Sequence, residues 1–133
     1  MITAFFDGGA RGNPGPAGYG VRIVAEDGRV LAELAQGIGV ATNNVAEYRG
    51  LVAALKWAVD HGVTDLEVKG DSLLLVQQML GNYKVKNEGL IPLHREARRL
   101  CALIGRVGFS HIPREQNAAA DRLSNLGMDQ NGA

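Results

Sequence analysis

The sequence contains a single cysteine, Cys101, and a single tryptophan, Trp57. One cysteine excludes an internal disulfide bond and a zinc site built from several thiolates. No apolar run approaches about 20 residues, which argues against a membrane-spanning helix, and no basic and apolar leader of the signal-peptide kind precedes the first strand-like segment. We therefore expect a cytoplasmic protein that does not associate with membranes.

An excess of charge of one sign is also absent, because 14 basic residues balance 14 acidic residues. Proteins that hold nucleic acid through bulk charge are usually basic. A nucleic-acid partner would therefore have to be bound locally, by a few donors, backbone amides or metal ions. The apolar share of 46% is typical of a globular chain, and 133 residues fit one domain.

Apolar periodicity predicts an α/β fold with the element order βββαβααβα. Two strands at 21–24 and 30–34, joined by an Asp-Gly turn signal, follow the first strand at 2–6. Helical spacing over 45–60 comes next. The later elements are a strand at 66–69, helices at 73–80 and from Pro92, a strand at 107–112 and a helix at 117–126. This order predicts a mixed sheet between layers of helices, a three-layer sandwich, in one domain over 1–128 with a polar tail at 129–133.

Asp7 is the most informative residue, because it ends an apolar strand and is followed by a glycine-rich stretch. Alternation along the strand turns Phe6 to one face of the sheet and Asp7 to the other. A half-buried carboxylate needs a cation or strong donors, and glycines let another backbone approach closely. Together these features indicate a metal site that a polymer can reach, although a tight hairpin would explain the glycines equally well.

Three further carboxylates, Glu47, Asp71 and Asp121, stand at the ends of predicted elements. If the first and fourth strands are neighbours, Asp7 and Asp71 lie side by side. Crowded carboxylates repel one another unless cations neutralise them, and oxygen ligands without a histidine or cysteine cluster favour Mg²⁺ or Mn²⁺ over zinc. Two such ions, about 3.5–4 Å apart, would suit in-line displacement at a phosphoryl group.

Each of these three carboxylates also has a purely structural explanation. Glu47 completes a capping-box pattern that begins at Asn44, Asp71 could cap the helix that follows it, and Asp121 could be an acid favoured by the helix dipole. Asp7 lacks such an explanation, because nothing local requires a carboxylate at the end of its strand. The residues alone leave open whether the four side chains converge.

The motifs resemble those of type 1 ribonuclease H over residues 1 to about 126. The likeness rests on Asp7-Gly8-Gly9 with the glycine-rich stretch at 12–20, Thr42-Asn43-Asn44-Val45-Ala46-Glu47, Gly70-Asp71-Ser72, His111, and Asn117-Ala118-Ala119-Ala120-Asp121. The resemblance implies a five-stranded mixed sheet of order 3-2-1-4-5 and endonucleolytic hydrolysis of the RNA strand of RNA/DNA hybrids. It further implies 5′-phosphate and 3′-hydroxyl product ends, two Mg²⁺ ions per active site with Mn²⁺ as a substitute, and a monomer.

The resemblance also implies roles for individual residues. Asp7 would bridge both ions, and Asp121 would help to hold the ion that activates water. Glu47 and Asp71 would hold the second ion. His111 would assist proton transfer or product release, with a strand-face histidine as the alternative. The residues implied to bind substrate are Gly8, Gly9, Ala10, Asn13, Thr42, Asn43, Asn44 and Asn117, several of which turn and cap chemistry would also explain.

Two departures from the family pattern concern substrate binding. The short segment 81–89 stands where many relatives have a long basic protrusion, so the chain resembles a compact subgroup. The candidate phosphate contacts of this region are Lys84, Lys86, Arg95, Arg98 and Arg99, and a solvated helix face is the alternative for the arginines. Leu73 replaces a residue that is often polar, which predicts weaker binding with steep salt dependence. Arg114 is a further candidate phosphate contact.

Two other functions fit parts of the pattern. A DNA resolvase or exonuclease of the same fold would share the carboxylates, but Asn13 and residues 42–44 favour a protein that reads hybrids. A non-catalytic nucleic-acid-binding module is disfavoured, because four crowded carboxylates would repel phosphates in the absence of metal.

Overall fold

The computed structural model describes residues 1–131, which form a five-stranded sheet and four α-helices in the predicted order. The strands are β1 (Ile2–Ala10), β2 (Gly15–Val24), β3 (Val30–Ala41), β4 (Asp65–Gly70) and β5 (Arg106–His111). The helices are α1 (Asn43–Asp60), α2 (Leu73–Met79), α3 (Ile91–Ile104) and α4 (Ala118–Asn131), and a short 3₁₀ turn at Arg114–Gln116 precedes α4. Within residues 1–131, no helix has the length and apolar character that crossing a membrane requires.

The sheet has the order β3-β2-β1-β4-β5, which confirms the expected topology. β1 is antiparallel to β2 and parallel to β4, and β4 is parallel to β5. The register of β1 and β4 aligns Phe6 with Gly70. Since Asp7 and Asp71 directly follow these two residues, both carboxylates stand at the same end of neighbouring strands.

Helices cover both faces of the sheet and complete the predicted three-layer sandwich. α1 packs on β1 and β2 with α3 beside it, and α4 packs on β1, β2 and β3 from the other side. The side chains of Phe6, Leu51 and Leu55 are fully buried between the sheet and α1. This core fixes α1 relative to β1, and therefore fixes the start of α1 relative to Asp7.

α4 approaches the sheet closely because glycines line the surface on which it lies. A methyl group at Gly18 would lie 2.5 Å from the backbone nitrogen of Met128, and one at Gly20 would lie 2.5 Å from the carbonyl oxygen of Ala120. On the helix side, a methyl group at Gly127 would lie 2.6 Å from the carbonyl oxygen of Gln36. We call Gly18, Gly20 and Gly127 the glycine seat of α4. It lets the helix backbone rest directly on the strands.

α4 continues through the first three residues of the predicted polar tail at 129–133 and ends at Asn131. The backbone N–H of Gly37 donates to the Gln130 side chain at 3.0 Å, and that of Gly39 donates to the Asn131 side chain at 3.2 Å. An ion pair of 2.6 Å joins Asp129 to Arg11. These contacts hold the end of the helix on the sheet, and residues 132–133 lie outside the described part of the chain.

Candidate active site

Glu47 projects from the beginning of α1, whose N-cap is Thr42. The Thr42 hydroxyl accepts a hydrogen bond from the Val45 backbone N–H at 3.2 Å. Asn44 lies inside the helix, so the capping box that could have explained Glu47 structurally is not formed. The Oε2 atom of Glu47 is instead buried without a hydrogen-bond partner. A buried, unsatisfied carboxylate oxygen requires an explanation other than helix capping.

Asp71 does not cap α2, because Ser72 does so by accepting a bond from Leu75 N–H at 3.3 Å. Asn117 positions Asp71 instead: its Nδ2 donates to Asp71 Oδ2 at 3.1 Å and to the Phe6 carbonyl at 2.9 Å. The Asn117 side chain is buried, with 1% exposed. The Nδ2 group of Asn117 therefore joins Asp71 to β1 inside the protein, its Oδ1 is buried without a hydrogen-bond partner, and the expected substrate contact stays a prediction.

The predicted carboxylates converge at one end of the sheet. Asp7, Glu47 and Asp71 each offer an oxygen atom, and these atoms lie within 4.8 Å of one another. Asp121 lies in the first turn of α4 and interacts with Asp7. Asp7, Glu47 and Asp121 line a cleft of about 400 Å³, so strand ends and helix starts that are far apart in sequence share one acidic site.

Burial and mutual repulsion make this cluster difficult to ionise. Burial raises the pKa of Asp7 from its ordinary 3.8 to about 7, and the charges of Asp71 and Asp121 add to the effect, while the hydrogen bond that Gly8 N–H donates to Asp7 opposes it. The pKa of Glu47 is also well above its ordinary value, first because of burial and then because of Asp7 and Asp71. Bound divalent cations would remove this repulsion, and all the donors are the oxygen atoms that such cations prefer.

The raised pKa of Asp7 predicts that the metal-free protein loses stability as pH rises. An unfolded Asp releases its proton near 3.8, whereas folded Asp7 retains it up to about pH 7. The destabilisation is therefore absent below about pH 4 and complete above about pH 7. We expect the Tm in EDTA to fall by several degrees over this window and Mg²⁺ or Mn²⁺ to restore it at neutral pH. Thermal melts of the wild type and the Asp7→Asn variant measure this, and an equal pH slope in both would contradict it.

The glycine run after Asp7 passes between α1 and α4. A methyl group at Gly8 would lie 2.5 Å from the Glu47 backbone nitrogen, and one at Gly9 would face the Met128 side chain at 3.3 Å. Residues 8–10 line the cleft. Their backbone groups therefore border the space beside the carboxylates, and the substrate contact expected of them stays a prediction.

Asn13 and Asn43 tie the loop between β1 and β2 to the start of α1. The Ala10 N–H donates to Asn43 Oδ1 at 2.8 Å, and the Asn43 N–H donates to Asn13 Oδ1 at 3.0 Å. These two hydrogen bonds occupy both side-chain oxygens, as turn and cap chemistry predicts. Asn43 also lines the cleft, whereas Asn13, Thr42 and Asn44 do not. Within residues 1–131, neither amide nitrogen of this pair donates to the protein, so both are available to a ligand.

His111 lies at the exposed end of β5 and is paired with Gly70, the residue before Asp71. It does not line the cleft. The structure therefore places His111 one strand away from the acidic site, at the same end of the sheet.

Several residues that line the cleft were not predicted from the sequence. Ser124, Asn125 and Met128 follow Asp121 by three, four and seven positions, so they share its face of α4. That spacing could have identified them. Arg114, a candidate phosphate contact in the sequence, also lines the cleft, where its charge lowers the pKa of Glu47 against the stronger effects of burial and the neighbouring acids.

A mixed five-stranded sheet with this order, carrying an acidic cluster where β1 and β4 end, defines the ribonuclease H-like fold class. The sequence profile of the reverse transcriptase-like family matches residues 5–127. A solved ribonuclease H1 from a compost metagenome is 43% identical, covers 100% of both chains and has a TM-score of 0.95. The chain belongs to the type 1 ribonuclease H family.

Two further relatives show the extent of the similarity. Ribonuclease H1 of the halophilic archaeon Halobacterium salinarum is 42% identical, covers 97% of this chain and 98% of its own, and has a TM-score of 0.93. A bifunctional protein of Mycobacterium tuberculosis is 52% identical over 124 residues, or 92% of this chain. That match covers 34% of the mycobacterial protein, so the chain spans about a third of the length of the first curated relatives that it matches.

Proposed function

We propose that this chain is an endoribonuclease that hydrolyses the RNA strand of RNA/DNA hybrids and leaves 5′-phosphate and 3′-hydroxyl ends. Two observations together carry the proposal: Asp7, Glu47 and Asp71 form one group, and Asp7, Glu47 and Asp121 line a cleft beside the backbone of residues 8–10. The family supports it, as does the compost ribonuclease H1, which was solved in complex with an RNA/DNA hybrid. A monomeric state and a cytoplasmic location stay predictions from the sequence.

The donor chemistry of the cleft fits divalent cations. Glu47 Oε2 has no hydrogen-bond partner, and the pKa values of Asp7 and Glu47 are raised by burial and by the neighbouring acids. Two Mg²⁺ ions, or Mn²⁺ in their place, would be held by Asp7, Glu47, Asp71 and Asp121. When bound, such ions lower the pKa of the attacking water and stabilise charge on the phosphate and the leaving oxygen.

The residues of the chain orient the carboxylates and the substrate. Asn117 holds Asp71 against β1 through its two hydrogen bonds. The amide nitrogens of Asn13 and Asn43, with exposed Asn44 and the backbone of residues 8–10, lie where they can contact the 2′-hydroxyl groups that distinguish RNA from DNA. The Thr42 hydroxyl accepts a hydrogen bond from Val45 N–H, so its own hydrogen can still be donated to a phosphate of the DNA strand.

His111 is proposed to move a proton or assist product release, because it stands at the end of β5 beside the strand that leads to Asp71. Arg114, whose charge acts on Glu47, is placed to attract a substrate phosphate into the cleft. In both proposals the side chain acts from the edge of the site, while the carboxylates would hold the cations at its centre.

Removal of the Asn117 amide tests whether it positions Asp71. We expect Asn117→Ala to lower the cleavage rate by about 10- to 100-fold, as changes of residues that orient metal ligands typically do, and to raise the metal concentration that gives half-maximal rate. Asp27→Ala is the matched control, because Asp27 is exposed in the turn between β2 and β3, at the other end of the sheet, where its side chain accepts a bond from Arg29 N–H at 3.0 Å. A folded Asn117→Ala protein with the wild-type metal dependence would contradict this role.

The proposed activity is tested with an end-labelled RNA strand annealed to DNA, incubated with the protein and Mg²⁺ or Mn²⁺. Matched RNA/RNA and DNA/DNA duplexes are run in parallel, and Asp71→Asn reports contaminating nuclease. We expect cutting that is selective for the hybrid, requires metal and disappears in the variant. Cutting of duplex DNA would favour a DNA nuclease, and metal-dependent binding without turnover would favour a binding module.

A further inference from the structure

Arg11 is the first residue after β1, and it lines the catalytic cleft. Within residues 1–131, Arg11 and Arg114 are the only cations that line this cleft. Arg114 acts on Glu47 through its charge, whereas none of the roles proposed above uses the side chain of Arg11. That side chain is 47% exposed, so a ligand in the cleft can contact it.

Two acceptors on α4 hold the guanidinium group of Arg11. Its Nη2 atom lies 2.6 Å from Asp129 Oδ1 and donates to the Asn125 backbone carbonyl at 3.4 Å. A guanidinium carries five N–H donors in a rigid plane, and within residues 1–131 the Nη1 and Nε atoms of Arg11 make no hydrogen bond. The acceptors on α4 therefore orient the group through one nitrogen and leave its other donors for a ligand.

The ion pair between Arg11 and Asp129 adds little to the stability of the fold. Both side chains are about half exposed, and ion pairs between exposed side chains are weak because water screens them. Other contacts already hold the loop, since the Met128 side chain lies against Gly9, and the Arg11 backbone N–H donates to the Pro16 carbonyl at 2.9 Å. The loop does not require the Arg11 side chain, so the main effect of the pair is to fix the direction of the guanidinium.

The guanidinium of Arg11 lies further along the face of α4 that carries Asp121. Asp121, Asn125 and Asp129 are spaced by four residues, so they are neighbours on one side of the helix. Four residues advance a helix by about 6 Å, which places the two acceptors roughly 6–12 Å along the axis from Asp121. Phosphates recur about every 3.4 Å along the axis of a nucleic-acid strand. A strand with one phosphate at the carboxylates would therefore bring another phosphate close to Arg11.

Arg11 stands on the side of the cleft away from Thr42. Thr42, which is proposed to contact a phosphate of the DNA strand, caps α1, whereas Arg11 contacts α4. Residues 8–10 border the cleft between the two helices, with Glu47 of α1 on one side and Met128 of α4 on the other. A strand that places its phosphate at the carboxylates would pass between these helices. That strand, which is the one to be cut, is within reach of Arg11.

We propose that Arg11 is a substrate-binding residue, whose guanidinium donates to a phosphodiester oxygen of the RNA strand within about three positions of the scissile phosphate. Asp129 is the positioning residue that holds the guanidinium for this contact. Arginine suits this task because its planar fork matches two phosphate oxygens, and hydrogen bonds between charged groups are stronger than neutral ones. The inference rests on the proposed function, because the phosphate belongs to the strand that the carboxylates would cut.

Hybrid binding by Arg11 variants tests the contact, in an Asp71→Asn background that leaves the substrate intact. We expect Arg11→Ala to raise the Kd about 10-fold and to lower the slope of log K against log salt by about 1, with Arg11→Lys between it and the wild type. Arg122→Ala is the matched control, because Arg122 is also exposed and paired with an acid, Glu33 at 3.3 Å, but does not line the cleft. Thermal melts should show Arg11→Ala folded, with a Tm close to that of the wild type.

Asp129→Asn separates a substrate contact from a structural link. It breaks the ion pair but keeps the charge of Arg11, so we expect the Kd to rise less than about threefold and the salt slope to stay near that of the wild type. If Arg11 served only to join its loop to α4, Asp129→Asn would weaken binding as much as Arg11→Ala. That result would overturn the proposal.

Neutral linkages identify the phosphate that Arg11 contacts. A few ribonucleotides within a DNA strand confine the protein to one position, and one linkage at a time is replaced by an uncharged methylphosphonate after a 2′-deoxynucleotide, with the same deoxynucleotide and an ordinary phosphate as reference. At one position, Arg11→Ala and the neutral linkage together should weaken binding about 10-fold, as each does alone, and not about 100-fold. Multiplied effects at every position would overturn the contact, while hybrid cleavage by the wild type would still support the proposed activity. A wild type that neither binds nor cuts the hybrid would overturn both.

Discussion

Replacement of Asp7 by asparagine is expected to abolish hybrid cleavage and, at the same time, to stabilise the metal-free protein. Asp7 is the central member of the acidic cluster, with Asp71, Glu47 and Asp121 around it. Loss of a carboxylate that is proposed to hold the cations should remove several kcal/mol of transition-state stabilisation, which corresponds to a rate lowered about 10³-fold or more. The same change removes a charge that is buried and repelled, which should raise the free energy of unfolding at neutral pH by about 1–3 kcal/mol.

Cleavage rates and thermal melts in EDTA measure the two effects on one preparation. Asp60→Asn is the matched control, because Asp60 is exposed at the end of α1, away from the cleft; its cleavage rate should equal that of the wild type. An Asp7→Asn protein that is inactive because it is unfolded would contradict the expectation, since the predicted changes in activity and stability have opposite signs.

A methyl group at Gly18 is expected to cause the largest loss of stability of any single change considered. Gly18→Ala would place that group 2.5 Å from Met128 N and 2.6 Å from the Gly127 carbonyl carbon. Both are backbone atoms of α4 and cannot rotate away, so the helix must move. We expect a loss of about 3 kcal/mol or more in the free energy of unfolding and weaker cleavage, because Asp121 moves with the helix.

Gly89→Ala is the control for the intrinsic effect of exchanging glycine for alanine. Gly89 is exposed, and an added methyl group there meets only the Asn87 side-chain oxygen, at 3.1 Å. Chemical denaturation of the two variants and the wild type gives the comparison. A Gly18→Ala protein as stable as Gly89→Ala would show that α4 is not held as closely as the glycine seat requires.

Periodicity in the sequence predicted the order of the elements, but not the full length of β2. The expected strand covered 21–24, whereas β2 begins at Gly15. Gly18 and Gly20 are poor strand formers by propensity, and they are present because α4 occupies the space that side chains would fill. The close packing of α4 therefore requires glycines at these positions, and the glycines hide the strand from a prediction based on residue propensity. The end of α4 was missed for a related reason, since its polar residues bond to β3 rather than to water.

The carboxylates of the site were predictable from motif and spacing, whereas the residues that position them were not. Asn117 stands in the same motif as Asp121, but its bonds to Asp71 and the Phe6 carbonyl exist only after β1, β4 and α4 have assembled. The arginines of α3 show the same limit. Arg95 and Arg99 are both exposed positions on one helix, and only the fold shows that Arg95 lines a cavity between residues 81–85 and the start of α3, whereas Arg99 is paired with Glu96.

Because Asp121 lies on α4, the acidic cluster is completed late in the synthesis of the chain. On the ribosome, Asp7, Glu47 and Asp71 emerge first, and α4 is the last of the described elements to be synthesised. Until α4 reaches the glycine seat, the carboxylate cluster lacks one of its four members. A nascent chain from which α4 has not yet emerged therefore lacks one carboxylate of the proposed metal site, and we expect it to cut no RNA until α4 has packed on the sheet.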